Sequence, residues 1–216
     1  MFKKINKVVR SIIFWDFAIN SGWGLLSPLF AIFVLESVAL GNVSQSAKIV
    51  GFATLSYWLT KAVLQIPIAN YLDRNHGEID DFWFFFIGTM ITGMVPIGFI
   101  FSFLPWHIYV LEVIHAVGMS MVTPSYNAIF IRHIDKGHEA FETGFNNTLV
   151  GLGVGAMGAI GGIIASYSGF DSILLGTSLL TFVAALCIFL MKKEVLPKVE
   201  RGLHNIHATK DLPYRK

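Results

Sequence analysis

The sequence predicts an all-α membrane protein: six transmembrane helices arranged as two sets of three related by an inverted repeat. Three observations predict it. Of the 216 residues 54% are hydrophobic and 14% charged, with 19 Phe and a mean hydropathy of +0.63, which is more apolar surface than a soluble chain of this length can bury. Six segments, 11–34, 48–71, 83–104, 106–131, 145–168 and 172–191, reach the roughly 20 apolar residues that a hydrocarbon core about 30 Å thick requires. Finally, the stretch Asp16 to Pro28 (DFAINSGWGLLSP) has a counterpart from Glu112 to Pro124 (EVIHAVGMSMVTP).

In that repeat the acid Asp16 corresponds to Glu112, Gly22 to Gly118, the small Gly24 to Ser120, the hydroxyl of Ser27 to that of Thr123, and Pro28 to Pro124. An acid and helix-weakening Gly and Pro are residues that an apolar span holds for a reason. The copies fall on the first and fourth segments, which cross the bilayer in opposite directions. They are thus related by a pseudo-twofold axis in the membrane plane.

Taken in order, residues 1–10 form a basic N-terminus, 11–191 the bundle and 192–216 a basic tail. With the N-terminus inside, fourteen of the 16 Lys and Arg are cytoplasmic, leaving Lys48 outside and Lys61 within a span. Basic flanks of short loops stay on the cytoplasmic side, so both termini are expected there, in a cell membrane. The first helix runs outward and returns through a loop from Glu36 to Gln45; the second runs inward past Lys61 and Pro67. The third opens on Phe82-Trp83-Phe84-Phe85-Phe86, suited to the interface, and the short turn Leu104-Pro105-Trp106 makes the third and fourth helices neighbours. The fifth carries GLGVGAMGAIGG from Gly151 to Gly162, with Gly151, Gly155, Gly158, Gly161 and Gly162 as a helix-packing face. The sixth is plainly apolar, and its lone Cys187 reads as packing.

The turn after the second helix, Ala69-Asn70-Tyr71-Leu72-Asp73-Arg74-Asn75-His76-Gly77, resembles the loop between the second and third helices of the major facilitator superfamily, whose pattern is roughly G-x-L-A-D-R-x-G-R-K. Asp73 and Arg74 match, Ala69 replaces the first glycine, Gly77 is displaced by one position, and Glu78 stands where a basic residue is usual. Gly161-Gly162 is similar to the end of the family's G-P-x-x-G-G motif, with Met157-Gly158 in the G-P position. An arginine common within the family's fourth helix has no counterpart before Arg132. Members usually have twelve helices in two similar bundles, and this chain resembles one bundle. The resemblance implies secondary transport of a small solute by alternating access, with Asp73 and Arg74 in a gating loop. One bundle gives one wall of a cavity, so the expected partner is a second bundle, as a parallel homodimer or a different half-size transporter. A non-transporting assembly or accessory protein derived from a transporter half is the alternative.

Candidate pathway residues are Asp16, Asn20, Lys61, Glu112 and His115. A charge at the centre of a span costs at least ~2.5 kcal/mol, so Asp16 and Glu112 are candidates for proton or other ion coupling or for contact with a polar solute. A structural ion pair or a snorkelling group is the plainer alternative. Lys61 lies about 7 Å in depth from Asp16 and about 13 Å from Glu112 by the rise per residue, which makes Asp16 its expected partner. His115, at i+3 from Glu112, can join a proton relay or be a satisfied interior histidine. Gly22, Pro28, Gly118 and Pro124 are candidate hinges. No catalytic motif, metal-ligand spacing or phosphate-binding loop is present, so no enzyme activity, cofactor, metal or nucleic-acid partner is expected.

Overall fold

The computed structural model describes residues 6–75 and 78–195. Residues 1–5 and 76–77, and with them Gly77 of the expected gating loop, lie outside the described residues, as does the expected tail from 196 onward. α1 (Lys7–Leu26) passes through a 3-10 turn at Ser27–Leu29 into α2 (Phe30–Ser37). Then follow α3 (Val43–Asn75), α4 (Glu78–Ile100), α5 (Pro105–His133) and α6 (Glu139–Val195), with no β-strand among the described residues.

Local chemistry sets the ends. Asn6 caps α1, its side chain accepting from the Val8 N–H at 3.1 Å and donating to the His133 carbonyl at 3.3 Å, so the helix begins ahead of the expected residue 11. α4 places Glu78, Asp80 and Asp81 in its first turn, and α5 starts on Pro105 and ends on Arg132 and His133. Each charge sits at the favourable end of its helix dipole.

Among the described residues five helices are long and apolar enough to cross a membrane, with α1, its turn and α2 counted as one, Lys7–Ser37. The six expected segments thus arrive as five helices, because 145–168 and 172–191 both lie in the 57-residue α6. α6 is not straight. Gly169 takes φ 73° and ψ −179°, a conformation open to glycine, and the chain folds back on itself there. A Cβ on Gly161 would strike the Leu25 carbonyl, and one on Gly176 would lie 3.3 Å from the Leu25 side chain. Fifteen residues of continuous helix would separate those two positions by about 22 Å. One glycine replaces the loop that sequence patterning expects between two helices.

The two arms of α6 clasp α1, while α5 packs on α4, as the short turn between them predicts, and on α3. The contacts are backbone-close. A Cβ on Gly22 would lie 3.1 Å from the Thr177 carbonyl oxygen and 3.6 Å from Thr181 Oγ1; one on Gly118 would lie 2.9 Å from the Gly88 carbonyl oxygen and 2.7 Å from Thr92 Oγ1. Each site sets a backbone carbonyl and a threonine hydroxyl against the glycine, with Thr177 and Gly88 separated by the same number of residues as Thr181 and Thr92. Small residues at such crossings let dispersion and backbone contacts hold helices that lipid would otherwise solvate equally well.

The glycines of α6 do not form the single face expected of them. Gly161 meets Leu25, a Cβ on Gly158 would lie 3.6 Å from Pro28, and Gly153 meets Phe17 and Ser21, all on the α1 side. Gly151, Gly155 and Gly162 have nothing within 4 Å. The prolines differ too. Pro28 coincides with the 3-10 break, whereas Pro124 lies inside an unbroken α5, as Pro67 and Pro96 do in α3 and α4. Around Pro124 the hydroxyls of Ser120, Thr123 and Ser125 donate to carbonyls four residues back, at 2.7 to 2.9 Å, which satisfies these hydroxyls within their own helix.

Two buried apolar clusters fill the bundle. One, around Ile12, Phe82, Phe85 and Ile188, lies at the Lys7 end of α1; the other, around Leu26, Phe33, Phe99 and Ile173, lies at its far end. Trp23 packs against both. α3 leaves Phe52, Leu55, Leu59, Val63 and Ile66 exposed.

Gly118→Ala is expected to lower stability in detergent by about 1–3 kcal/mol, since its methyl has no space between Gly88 and Thr92. Gly151→Ala, facing open space, is expected to stay within about 0.5 kcal/mol of the parent. Thermal unfolding of the purified variants checks both.

Candidate functional site

Between α1 and α5 lies a cavity of about 450 Å³. α1 contributes Trp15, Asp16, Ile19, Asn20 and Trp23; α5 contributes His115, Met119, Val122, Thr123, Tyr126 and Asn127; Ser27 of the 3-10 turn and Tyr57 of α3 complete the lining. The α1 positions recur at helical spacing, so one turn after another presents the same face.

Asp16 is the polar centre. One carboxylate oxygen accepts from Asn20 Nδ2 at 2.7 Å, the other from Asn146 Nδ2 at 2.6 Å and from the Tyr126 hydroxyl at 3.2 Å. Asn146 also donates to the Tyr126 oxygen at 3.1 Å. Donors from α1, α5 and α6 therefore converge on one carboxylate, and all three are uncharged. A carboxylate away from water needs such donors, or its desolvation goes uncompensated. Trp15 packs on Tyr126 at 5.3 Å and edge-on to Phe85 at 4.5 Å between ring centroids, fixing the phenol from behind.

Of the other candidates, Glu112 and His115 come together, Oε2 to Nδ1 at 3.3 Å. His115 stacks on Trp23 at 4.0 Å with the rings 4° from parallel, and Tyr57 lies 4.8 Å from it. His115 lines the cavity, and Glu112 reaches it through His115. Lys61 does not pair with Asp16, the partner expected from depth. Its Nζ stands 5.7 Å from the Tyr57 ring centroid and 5.3 Å from that of Trp58, so a depth within reach on two helices did not mean one face. Asp73 and Arg74 close α3, exposed and apart from the cavity.

Two polar contacts escaped the sequence reading. Asp81, fully buried, accepts from Arg132 Nη1 at 2.5 Å, and His133 Nε2 lies 3.7 Å from Glu78 Oε1. Both join the start of α4 to the end of α5. Tyr126 was missed as well: a tyrosine in an apolar helix gives no signal until a polar group is set opposite its hydroxyl. Asn146 was visible only as a polar residue inside an apolar segment.

Membrane-length helices bordering a largely apolar cavity with one acid in its lining define a multi-pass membrane protein with a polar site between its helices. The model of the Major Facilitator Superfamily matches residues 14–213; the chain belongs to that family, whose members are membrane transporters. No curated protein matches the chain.

Tyr126→Phe keeps the ring packing but removes one donor to Asp16, and is expected to destabilise by about 0.5–1.5 kcal/mol. Arg132→Met leaves Asp81 buried beside no cation and is expected to cost about 3 kcal/mol, recovered in large part when Asp81→Asn is added. Chemical or thermal unfolding of the single and double variants measures both.

Proposed function

We propose that the protein is a secondary transporter that moves a small solute through the α1–α5 cavity by alternating access, working as a parallel pair of six-helix bundles. The observation that carries this reading is the cavity itself: a membrane-embedded acid held by neutral donors from three helices, in a lining drawn from α1, α3 and α5. The two arms of α6 count as the fifth and sixth crossings.

The bundle's packing supports a 3+3 inverted repeat. α1 meets the second arm of α6 at Gly22 as α5 meets α4 at Gly118, through equivalent atoms. The first arm packs on α1 as α3 packs on α5. The cavity then lies between the two copies of the repeated motif, where inverted-repeat transporters place their sites. Asp16, Asn20, Glu112 and His115 are its pathway residues, Asp16 and the Glu112–His115 pair being the groups able to bind or release a coupling proton. Lys61 flanks it from α3. Pro28, where the helix breaks, is the better hinge of the repeated pair, and Asp73 and Arg74 gate the cytoplasmic side, where both termini lie.

The pairing surface is the exposed apolar side of α3 together with Gly151, Gly155 and Gly162, whose open positions let a second backbone approach. In proteoliposomes, uptake across a solute panel with and without a pH gradient is expected to show flux that Asp16→Asn reduces about tenfold or more. With Cys187 replaced, Gly155→Cys is expected to crosslink between chains in native membranes and Gly161→Cys, packed on Leu25, is not. No flux for any solute would favour a non-transporting accessory protein, and a strictly monomeric chain would remove the pair.

A further inference from the structure

The cavity lining has a chemical bias beyond what transport alone requires. Asp16 is its one carboxylic acid, and it contains no Lys or Arg. The donors to Asp16, from Asn20, Tyr126 and Asn146, are all neutral, so they orient the carboxylate without cancelling its charge. Glu112, 3.3 Å from His115, offsets whatever charge the imidazole takes. No fixed cation in the lining balances the acid.

Around it stand Trp15, Trp23, Tyr57 and Tyr126. The faces of aromatic rings are electron-rich and attract ammonium groups within about 6 Å, most strongly where water is excluded. This corner of the molecule already uses that attraction: the Lys61 ammonium rests near the Tyr57 and Trp58 rings, with no ion pair to a carboxylate among the described residues. At about 450 Å³, the space suits an organic molecule and far exceeds a bare inorganic ion.

We propose that the solute is an organic monocation, an ammonium head that faces Asp16 and carries an apolar or aromatic body lodged among the rings. This rests on the cavity being the transport site. The cation supplies the charge that the lining withholds from Asp16, and the aromatic walls replace part of the head group's hydration. An anion of equal size would meet the acid directly, the nearest ammonium, Lys61, being outside the lining and held against the Tyr57 and Trp58 rings.

The full chain in lipid nanodiscs, titrated calorimetrically with benzyltrimethylammonium and with phenylacetate, tests this. Saturable binding of the cation, about tenfold or more tighter than the anion, is expected. Asp16→Asn should weaken it about tenfold or more. Tyr57→Leu should weaken it about threefold or more, while Tyr57→Phe retains it. Tyr57 sits on the exposed helix α3, so the Tyr57 variants decide the matter even where Asp16→Asn does not fold. Equal or tighter binding of the anion, cation affinity unmoved by Tyr57→Leu, or no saturable cation binding would overturn the proposal. Flux separates the two claims: Asp16-dependent uptake confined to anions or neutral solutes keeps transport and removes the cation, whereas saturable cation binding without flux keeps the cation site and removes transport.

Discussion

Lipid offers a helix neither a hydrogen bond nor a hydrophobic reason to leave it, so helices here are held by how closely backbones can approach. Everything else in the bundle depends on that constraint at α1. Gly22, Gly24, Gly153 and Gly161 remove the Cβ atoms that would keep α1 from the two arms of α6. With α1 locked along its length, Asp16 is placed where Asn146 from the first arm and Tyr126 from α5 both reach it. The site is therefore a by-product of packing: a looser α1 would leave the carboxylate with Asn20 alone.

The polar groups divide into two kinds by what surrounds them. Asp81 is fully buried and faces Arg132 at the end of a neighbouring helix, a charge pair that ties α4 to α5. Asp16 is partly open to a cavity and faces only neutral donors, an arrangement that holds geometry fixed while leaving charge available. Both are acids near the Lys7 end of the bundle, yet one has the chemistry of a joint and the other that of a binding site. The distinction lies in the partner, and the partner is set by which helices are adjacent.

Much of the architecture was legible. Apolar segment lengths located every long helix, and the short turn at Pro105 put α4 beside α5; Gly22 and Gly118, expected as hinges, are both close-contact points. The Asp-Arg turn and the glycine-rich segment pointed to the family that the match over 14–213 establishes. Other elements were not legible. The reversal of α6 falls in the gap expected between segments 145–168 and 172–191, but that Gly169 alone would make it, with helix running up to it on both sides, was not readable from the pattern. Pro28 breaks its helix and Pro124 does not, because the outcome depends on what packs around each. Lys61 lies within reach of Asp16 by depth but meets other partners, since rise per residue measures height and says nothing of azimuth.

The sequence by itself determined that this chain lives in a membrane, where its helices run, and which residues are costly enough there to suggest function. Those are properties of composition and of the distance each residue advances along a helix, both readable in one dimension. Only the tertiary structure decided that Asp16 is gripped by Tyr126 and Asn146, that Lys61 turns to aromatic rings, and that Arg132 belongs to Asp81. Such pairings join residues far apart in the chain, and they are fixed by the rotation of each helix about its axis and by the few places where two backbones come close enough to touch.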